Sequence, residues 1–348
     1  MEYRKLGRTG MDVSLICLGT MTWGNQNTEK QGHEQMDYAL ERGINFFDTA
    51  EMYAVPPSAQ TYGKTEEIIG TWFAARQNRD KVILASKIAG PGLPWVRGGN
   101  SQINRASLNE ALEGSLKRLQ TDYIDLYQLH WPNRGSYAFQ RHWDIAREYS
   151  FDKTQVLENF LEVLETMNDF IKAGKIRHIG LSNETAWGTA QWLGLSDRHT
   201  LPRMASIQNE YSLLCRQFEP ELAEFAHAEE CGLLAWSPLA RGIISGKYID
   251  GARPEGTRLT ITPSAERRDT PQCNAAVKAY IDVAEKHGLD VCQMALAFVN
   301  RQPFVTANII GATTMQQLKT NIDSIDVTLN DEVLADIETV RRDFPVPY

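Results

Sequence analysis

Three predicted strands in this 348-residue chain end in a side chain that can hold or transfer a proton. Asp48, Lys87 and His130 each follow a run of apolar residues. Tyr53 lies five residues after Asp48, past a bend, where its phenol can turn back over the strand end. Because α/β enzymes carry their chemistry at the carboxyl ends of buried strands, we expect these four groups to share one site.

The four groups are suited to the protonation of an oxyanion. The pKa of tyrosine is about 10, which makes it a poor proton donor at neutral pH, and a lysine ammonium nearby would lower that pKa. Asp48 would hold Lys87 charged and oriented. His130 could donate a hydrogen bond to a substrate oxygen and help to fix its position.

Each residue also has a purely structural explanation. Asp48 could cap a turn, and Tyr53 could be a loop aromatic. Lys87 could be a solvated lysine, and His130, next to Trp131, could be a satisfied core histidine. Their joint occurrence at successive strand ends favours the catalytic interpretation. No HExxH motif occurs and the lysine would repel a cation, so we expect no metal site.

Strands and amphipathic helices alternate along the chain and predict the frame that positions these groups. After a hairpin at 3–17, about eight strand–helix units favour a (β/α)8 TIM barrel with extra C-terminal helices, as one domain over 1–348. Residues 18–20 could belong either to the hairpin or to the first barrel strand. Helices are expected to begin at Thr28, Thr65, Thr154 and Asn330.

Composition narrows the classes of partner. No apolar run is long enough to span a bilayer and the first residues lack the apolar core of a signal peptide, so we expect a cytoplasmic protein that binds no membrane. The formal charge of −8 argues against nucleic-acid binding. The five scattered cysteines, without a CxxC pair, are typical of reduced packing residues. No GxGxxG follows a predicted strand, and residues 242–248 do not form a P-loop.

Ordered motifs run through nearly the whole chain. They are LGTM at 18–21, DTAEMY at 48–53, SK at 86–87, LYQLHWP at 126–132, IRHIGLSNE at 176–184, IQNEYSLL at 207–214, WSPLARGIISGKY at 236–248 and GATTMQQLKTN at 311–321. This series resembles the aldo-keto reductases, and within them the Tas-like branch and the potassium-channel β subunits. The resemblance implies an eight-stranded barrel that binds NADP(H) without a Rossmann fold and reduces aldehydes or ketones. It implies that Tyr53 is the general acid, that Lys87 and Asp48 tune it, and that His130 orients the carbonyl.

The resemblance also implies contacts to the cofactor. Ser182, Asn183 and Gln208 match residues that hold the nicotinamide amide, and Trp236 matches the aromatic residue that stacks on the ring. These residue types suit an amide and a flat ring. The pyrophosphate-binding loop is matched by Ser237, Pro238, Leu239, Gly242 and Lys247, where small residues and a lysine suit an anion. The other expected cofactor-binding residues are Thr20, Asp48, Arg258, Gly311, Thr313, Gln317 and Asn321.

The adenosine end of the cofactor is where this chain departs from many relatives. Thr313, Gln317 and Asn321 are spaced by four and are expected along one helical face at a helix N-terminus. Gly311 and Gln317 stand where many reductases of this family have a lysine and an arginine for the 2′-phosphate. Arg258 could contact that phosphate or lie on the surface. These departures make a preference for NADPH over NADH less secure than nicotinamide binding itself.

Two functions are compatible with these residues. The first is an NADPH-dependent reductase of a small-molecule carbonyl substrate. The second is a redox sensor or interaction subunit that binds the cofactor and turns over slowly. In either case the substrate pocket is expected to be lined by Trp23, Met52, the loops at 90–105 and 131–152, and the C-terminal tail.

Overall fold

A computed structural model describes residues 1–99, 101–262 and 267–348. An antiparallel hairpin, β1 (Tyr3–Lys5) and β2 (Asp12–Ser14), precedes the barrel strands β3 (Ile16–Gly19), β4 (Phe46–Asp48), β5 (Ile83–Ile88), β6 (Ile124–Leu129), β7 (Ile176–Ser182), β8 (Met204–Glu210), β9 (Gly232–Trp236) and β10 (Val305–Ile310). Parallel neighbours close the barrel in the order β10-β3-β4-β5-β6-β7-β8-β9. The predicted (β/α)8 barrel with its N-terminal hairpin is therefore confirmed, and residues 18–19 belong to the first barrel strand.

Helices surround the barrel. They are α1 (Glu29–Glu41), α2 (Lys64–Arg76), α3 (Arg105–Leu119), α4 (Lys153–Lys172), α5 (Ala186–His199), α6 (Leu222–Glu229), α7 (Arg258–Ile261), α8 (Pro271–Lys286), α9 (Val291–Asn300), α10 (Met315–Asp323) and α11 (Asp331–Asp343). Outward-facing strand residues such as Phe47 and Leu84 pack against the helices in the larger apolar core. Within the three described ranges, no helix is long and apolar enough to cross a membrane.

The interior of the barrel is divided into an apolar layer and a polar layer. The apolar layer includes Phe46, Ala85, Leu126 and Leu234. Two residues further along the same strands lie Asp48, Lys87, Gln128 and Trp236. Because successive side chains of a strand alternate between its two faces, these four also point into the barrel. The pleat of the strands thus places polar and aromatic groups together at the carboxyl end, above an apolar floor.

Local hydrogen bonds decide where the helices begin. The predicted starts at Thr28 and Asn330 are confirmed, since both side chains accept hydrogen bonds from the first turn of their helices. The predicted cap at Thr154 is wrong because Asp152 caps α4 and accepts from the backbone N–H of Thr154 itself. Both residue types can cap a helix, and here the earlier one does so.

The segment before α2 also differs from the expectation. α2 follows Gly63, whose φ of 77° is available to glycine at little cost, and no side chain caps it. Thr65, the predicted cap, donates instead to the carbonyl oxygen of Trp23 at 2.8 Å. Trp23 is fully buried in the core between barrel and helices, and its indole donates to Gln35. The sequence predicted that Trp23 lines the substrate pocket. Its burial in the core shows that it does not.

Candidate active site

The ion pair between Asp48 and Lys87 lies at the carboxyl end of the barrel. Nζ of Lys87 donates to the two carboxylate oxygens at 2.8 and 2.7 Å and to the carbonyl oxygen of Thr49 at 2.7 Å. These bonds use all three donors of the ammonium. Burial lowers the pKa of Lys87, and the negative charge of Asp48 opposes that shift. The pair is thus held together inside the protein, where the lysine side chain has no contact with solvent.

Tyr53 lies beside this pair. Nζ of Lys87 is 5.2 Å from the centroid of the Tyr53 ring, and the His130 ring meets it edge-on at 5.7 Å. Removal of the phenol from water raises the pKa of Tyr53 well above 10; Asp48 adds to the shift and Arg258 opposes it. The net shift in the pKa of Tyr53 is opposite to the predicted one, because the effect of burial is the largest. Tyr53 is therefore a neutral phenol at neutral pH.

His130 completes the group of four. Burial lowers its pKa well below 6.5, and the positive charge of Lys87 lowers it further, so the imidazole is neutral. Nδ1 of His130 is buried and has no hydrogen-bond partner among the described residues. The backbone of His130 is fixed, because its amide donates to the carbonyl of Ile88 and its carbonyl accepts from Asn183. A rigid neutral ring with an unpaired nitrogen is suited to binding a further polar group.

Two glutamines surround the carboxylate of Asp48. Nε2 of Gln208 donates to Oδ1 of Asp48 at 2.7 Å, and the amide of Gln128 lies 3.4 Å from the same oxygen. In the described part of the chain, Oε1 of Gln208 accepts no hydrogen bond, which leaves it for a ligand. Gln128 was not among the predicted site residues. The signal for it was its position two residues before His130, because side chains two positions apart along a strand point to the same side.

Hydrogen bonds join the residues expected around the nicotinamide. Nδ2 of Asn183 donates to the carbonyl of His130 at 2.8 Å and to the hydroxyl of Ser182 at 3.1 Å, and its Oδ1 accepts from the indole of Trp236 at 3.1 Å. The hydroxyl of Ser182 donates to the carbonyl of Gln208 at 2.9 Å. The structure therefore brings these residues together, and Asn183 fixes the orientation of the Trp236 ring relative to His130.

The loop after β9, here called the cradle, contains the residues expected to bind the pyrophosphate. Ser237 and Gly242 both have positive φ angles, of 55° and 87°, so backbone N–H groups change direction sharply along the loop. A Cβ atom added to Gly242 would lie 2.9 Å from Nζ of Lys247. Glycine is therefore required for the ammonium to approach the loop backbone this closely. Pro238 and Leu239 connect this cradle to Trp236.

The residues expected at the adenosine end are arranged differently from the prediction. α10 begins at Met315, so Thr313 lies outside the helix; its amide and hydroxyl donate to Oε1 of Gln317. Asn321 is buried and donates to the carbonyl of Gly311 at 3.1 Å. The three residues therefore do not form one helical face. A Cβ atom added to Gly311 would meet nothing within 4 Å, which leaves open space at this strand end.

Thr20 and Arg258 lie at the edge of the site. The hydroxyl of Thr20 donates to the carbonyl of Asp48 at 2.9 Å and ties the end of β3 to the end of β4. Arg258 is the first residue of α7, and its Nη2 is 4.0 Å from Sδ of Met21. Its charge reaches the phenol of Tyr53. Arg258 therefore faces the mouth of the barrel.

Aromatic rings border the mouth on the side of the 131–152 loop. The centroids of Trp131 and Phe139 are 6.0 Å apart, and those of Phe139 and Trp236 are 5.9 Å apart. Trp131 also contacts His130, at 4.8 Å. The loop at 131–152, which was expected to line the substrate pocket, thus contributes the rings of Trp131 and Phe139 to this border. The neutral phenol, the neutral imidazole and the buried lysine form a site that can protonate an oxygen atom next to a flat ring.

Comparison with known proteins gives a consistent result. The model of the Aldo/keto reductase family matches residues 15–342. Protein tas of Escherichia coli (strain K12) is 47% identical over 349 residues, which cover 100% of this chain and 99% of that protein. The uncharacterized oxidoreductase YrpG of Bacillus subtilis (strain 168) is 36% identical over 351 residues, covering 100% of this chain and 97% of that protein.

A further relative is named as a channel subunit. The probable voltage-gated potassium channel subunit beta of Arabidopsis thaliana is 30% identical over 357 residues, covering 99% of this chain and 98% of that protein. The expected resemblance to the Tas-like and channel-subunit branch is confirmed. An eight-stranded barrel with a buried ion pair at its carboxyl end, matched by the family model over most of its length, shows that this chain belongs to the aldo/keto reductase family.

Proposed function

We propose that this protein is an NADP(H)-dependent oxidoreductase that reduces aldehyde or ketone carbonyls to alcohols, with Tyr53 as the general acid. Membership of the family supports carbonyl reduction in general. The observation that supports the finer assignment is the neutral Tyr53 phenol beside Lys87 and His130. A general acid must hold its proton when the substrate binds, and the raised pKa of Tyr53 keeps it protonated.

The side chains divide the work of the proton transfer. Tyr53 gives the proton of its hydroxyl to the carbonyl oxygen as negative charge develops there. The phenolate left behind is attracted by the ammonium of Lys87, and Asp48 keeps that ammonium charged despite its burial. One N–H of the neutral His130 donates to the same substrate oxygen and fixes its position. The nicotinamide, when bound, supplies the hydride.

The residues present fit a nicotinamide dinucleotide. Trp236 offers an aromatic face to the ring, and Oε1 of Gln208 can accept from its carboxamide. The cradle around Gly242 and Lys247 suits the pyrophosphate, and the open space at Gly311 suits the adenosine half. We assign Arg258, whose charge reaches the site, to the 2′-phosphate of NADP(H). The other positions expected near that phosphate, Gly311 and Gln317, are neutral.

Removal of the Tyr53 hydroxyl tests the proposal. Tyr53→Phe lowers kcat for reduction of 4-nitrobenzaldehyde by a factor of about 10²–10⁴, because the carbonyl oxygen loses its proton donor. The dissociation constant of NADPH, measured by fluorescence titration, stays at the native value. The melting temperature is also retained, since the hydroxyl makes no hydrogen bond within the described ranges. Turnover by Tyr53→Phe at the native rate would show that another group is the acid.

The relation to a potassium-channel β subunit supports a second candidate, a redox sensor or interaction subunit with slow turnover. The two functions differ in the step that limits the rate. Stopped-flow oxidation of bound NADPH gives the rate constant for hydride transfer, and steady-state kinetics give kcat. A kcat far below the single-turnover rate constant would favour the sensor, because release of the oxidised cofactor would then control its lifetime on the protein.

A further inference from the structure

A second buried ion pair lies directly behind the acid–base group. Glu51 stands between Asp48 and Tyr53 in the chain, and its carboxylate is fully buried. Nη1 of Arg97 donates to both of its oxygens at 2.8 Å, and the hydroxyl of Tyr62 donates to Oε2 at 2.8 Å. The side chain of Arg97 is only 5% exposed. The proposed mechanism gives neither charge a task.

The pair joins the two segments that carry the acid and the lysine. Oε1 of Glu51 accepts from the amide of Ala89 at 2.6 Å, and Nη2 of Arg97 donates to the carbonyl of the same residue at 3.1 Å. Ala89 is two residues after Lys87, and Glu51 is two residues before Tyr53. The amide of Glu51 also donates to the carbonyl of Lys87 at 3.1 Å. Glu51 is therefore hydrogen-bonded to the backbone on both sides of Ile88, the residue that follows Lys87.

Direct contacts between the acid and the lysine are weak by comparison. No hydrogen bond joins Tyr53 to Lys87 within the described ranges; the ring and the ammonium meet only at 5.2 Å. Their separation is thus set by the backbone on which each is carried. Besides the bonds of the Lys87 ammonium, Glu51 and Arg97 make side-chain ties between those two stretches of backbone. Burial costs both charges their hydration, and these bonds offset that cost.

We propose that Glu51 and Arg97 form a clamp that positions Tyr53 against Lys87, which makes them positioning residues for the acid–base step. The inference rests on the proposed function, because it needs Tyr53 to be the proton donor. Arg97 belongs to the loop that follows β5, so the same clamp fixes the start of that loop against both strand ends. A shift of about 1 Å in reacting groups can reduce a rate by a factor of 10².

The amino end of the barrel offers a matched control. Arg79 donates to Asp125 at 2.7 Å and to the backbone carbonyls of Val82 and Tyr123, and Asp125 is fully buried. This pair ties the start of β5 to the start of β6, as the clamp ties the ends of β4 and β5. Arg79→Lys and Arg97→Lys therefore remove the same guanidinium geometry. Arg79 lies at the end of the barrel away from the site, and Arg97 lies directly behind the site.

The test compares single-turnover oxidation of bound NADPH by 4-nitrobenzaldehyde in three variants. Glu51→Gln and Arg97→Lys are expected to lower that rate constant by a factor of about 10–100 with the Kd for NADPH unchanged within about twofold. Arg79→Lys is expected to lower the melting temperature and to keep the native rate constant. Because the rate constant is counted per bound cofactor, loss of folded protein alone does not change it.

Failure of the clamp and failure of the proposed function give different results. Native rate constants in both clamp variants, with Tyr53→Phe inactive, would overturn the clamp and leave the proposed function intact. A native rate constant in Tyr53→Phe would overturn the proposed function itself. If Glu51→Gln does not fold, the test uses Arg97→Lys and Tyr62→Phe, which each remove one hydrogen-bond donor to Glu51. A native rate constant in both of these variants overturns the clamp.

Discussion

At the amino end of the barrel, Asp125 accepts hydrogen bonds from Arg79, from Arg177 and from a backbone amide. At the carboxyl end, Asp48 accepts both of its short ionic bonds from the single ammonium of Lys87. The arginines at the amino end reach water, and the side chain of Arg177 is 53% exposed. The lysine at the carboxyl end has no exposure at all. Both carboxylates are paired with cations. The cations of Asp125 keep part of their hydration, whereas the cation of Asp48 does not.

This difference separates stability from chemistry. A cation that keeps part of its hydration loses little on folding, whereas a fully buried one depends on its partner. Burial displaces the pKa of Lys87, Tyr53 and His130 together at the carboxyl end. Clustered groups with displaced pKa values are typical of sites that act on a ligand. In barrels of this kind the carboxyl end carries the activity and the amino end the stability.

The largest effect is expected from Lys87→Met. The variant leaves Asp48 buried without its cation, which costs about 3–5 kcal/mol of the free energy of unfolding. It also removes the charge that stabilises the Tyr53 phenolate, so the single-turnover rate falls by a factor of about 10³. Urea denaturation and stopped-flow oxidation of NADPH measure the two losses.

The double variant Asp48→Asn with Lys87→Met separates those two losses. Replacement of both charges leaves no unpaired ion, so most of the stability returns, whereas the activity does not. Recovery of both would mean that the ion pair serves only the fold. The carboxyl end would then resemble the amino end, and the contrast between them would disappear.

A smaller effect is expected at the opposite end. Asp125→Ala leaves Arg79 without its carboxylate and lowers the free energy of unfolding by about 3 kcal/mol. The kcat and KM of the folded enzyme stay at native values, because the change lies at the far end of β6 from His130. Enzyme assays at a temperature well below the melting transition check this. A lower kcat would mean that the two ends are coupled through the strand.

The meeting of Asp48, Lys87 and His130 was predictable because it depends on rules that act along the chain. Each follows a buried strand, and the carboxyl ends of parallel strands share one edge of a barrel. The alternation of strand side chains also fixes which face each residue takes. A residue such as Gln128 obeys the same alternation. It could have been found by counting back from His130.

Features that depend on distant partners were not predictable. The amide nitrogen of Gln208 donates to Asp48 across 160 positions of sequence and also lies 3.4 Å from Oε1 of Gln128, so both of its hydrogens have partners other than the nicotinamide. The sequence around Trp23 is typical of a loop. Trp23 is buried because the fold packs it against a helix. The upward shift in the pKa of Tyr53 depends on how much water the finished site excludes. Sequence gives the charge of a neighbour but not its hydration.

The smallest predicted effect is a pH dependence of stability that arises from His130. Its pKa is lowered in the folded protein, so below about pH 6.5 the unfolded chain binds a proton that the folded protein does not. Stability therefore falls as the pH falls, by at most about 1.4 kcal/mol per pH unit from this residue. His130→Asn removes this contribution. Urea denaturation between about pH 7.5 and 5.5 is expected to give a flatter profile for the variant than for the native protein.

His178 provides the counterpart at the amino end. It is half-buried on β7, and its pKa is also lowered by burial, but Asp125 opposes the shift. His178→Asn is therefore expected to flatten the profile less than His130→Asn does. Equal flattening by the two variants would mean that burial acts on both histidines alike. The carboxyl end would then not desolvate its histidine more than the amino end does. The neutral state of His130 depends on that difference, so a protonated imidazole would be available near neutral pH.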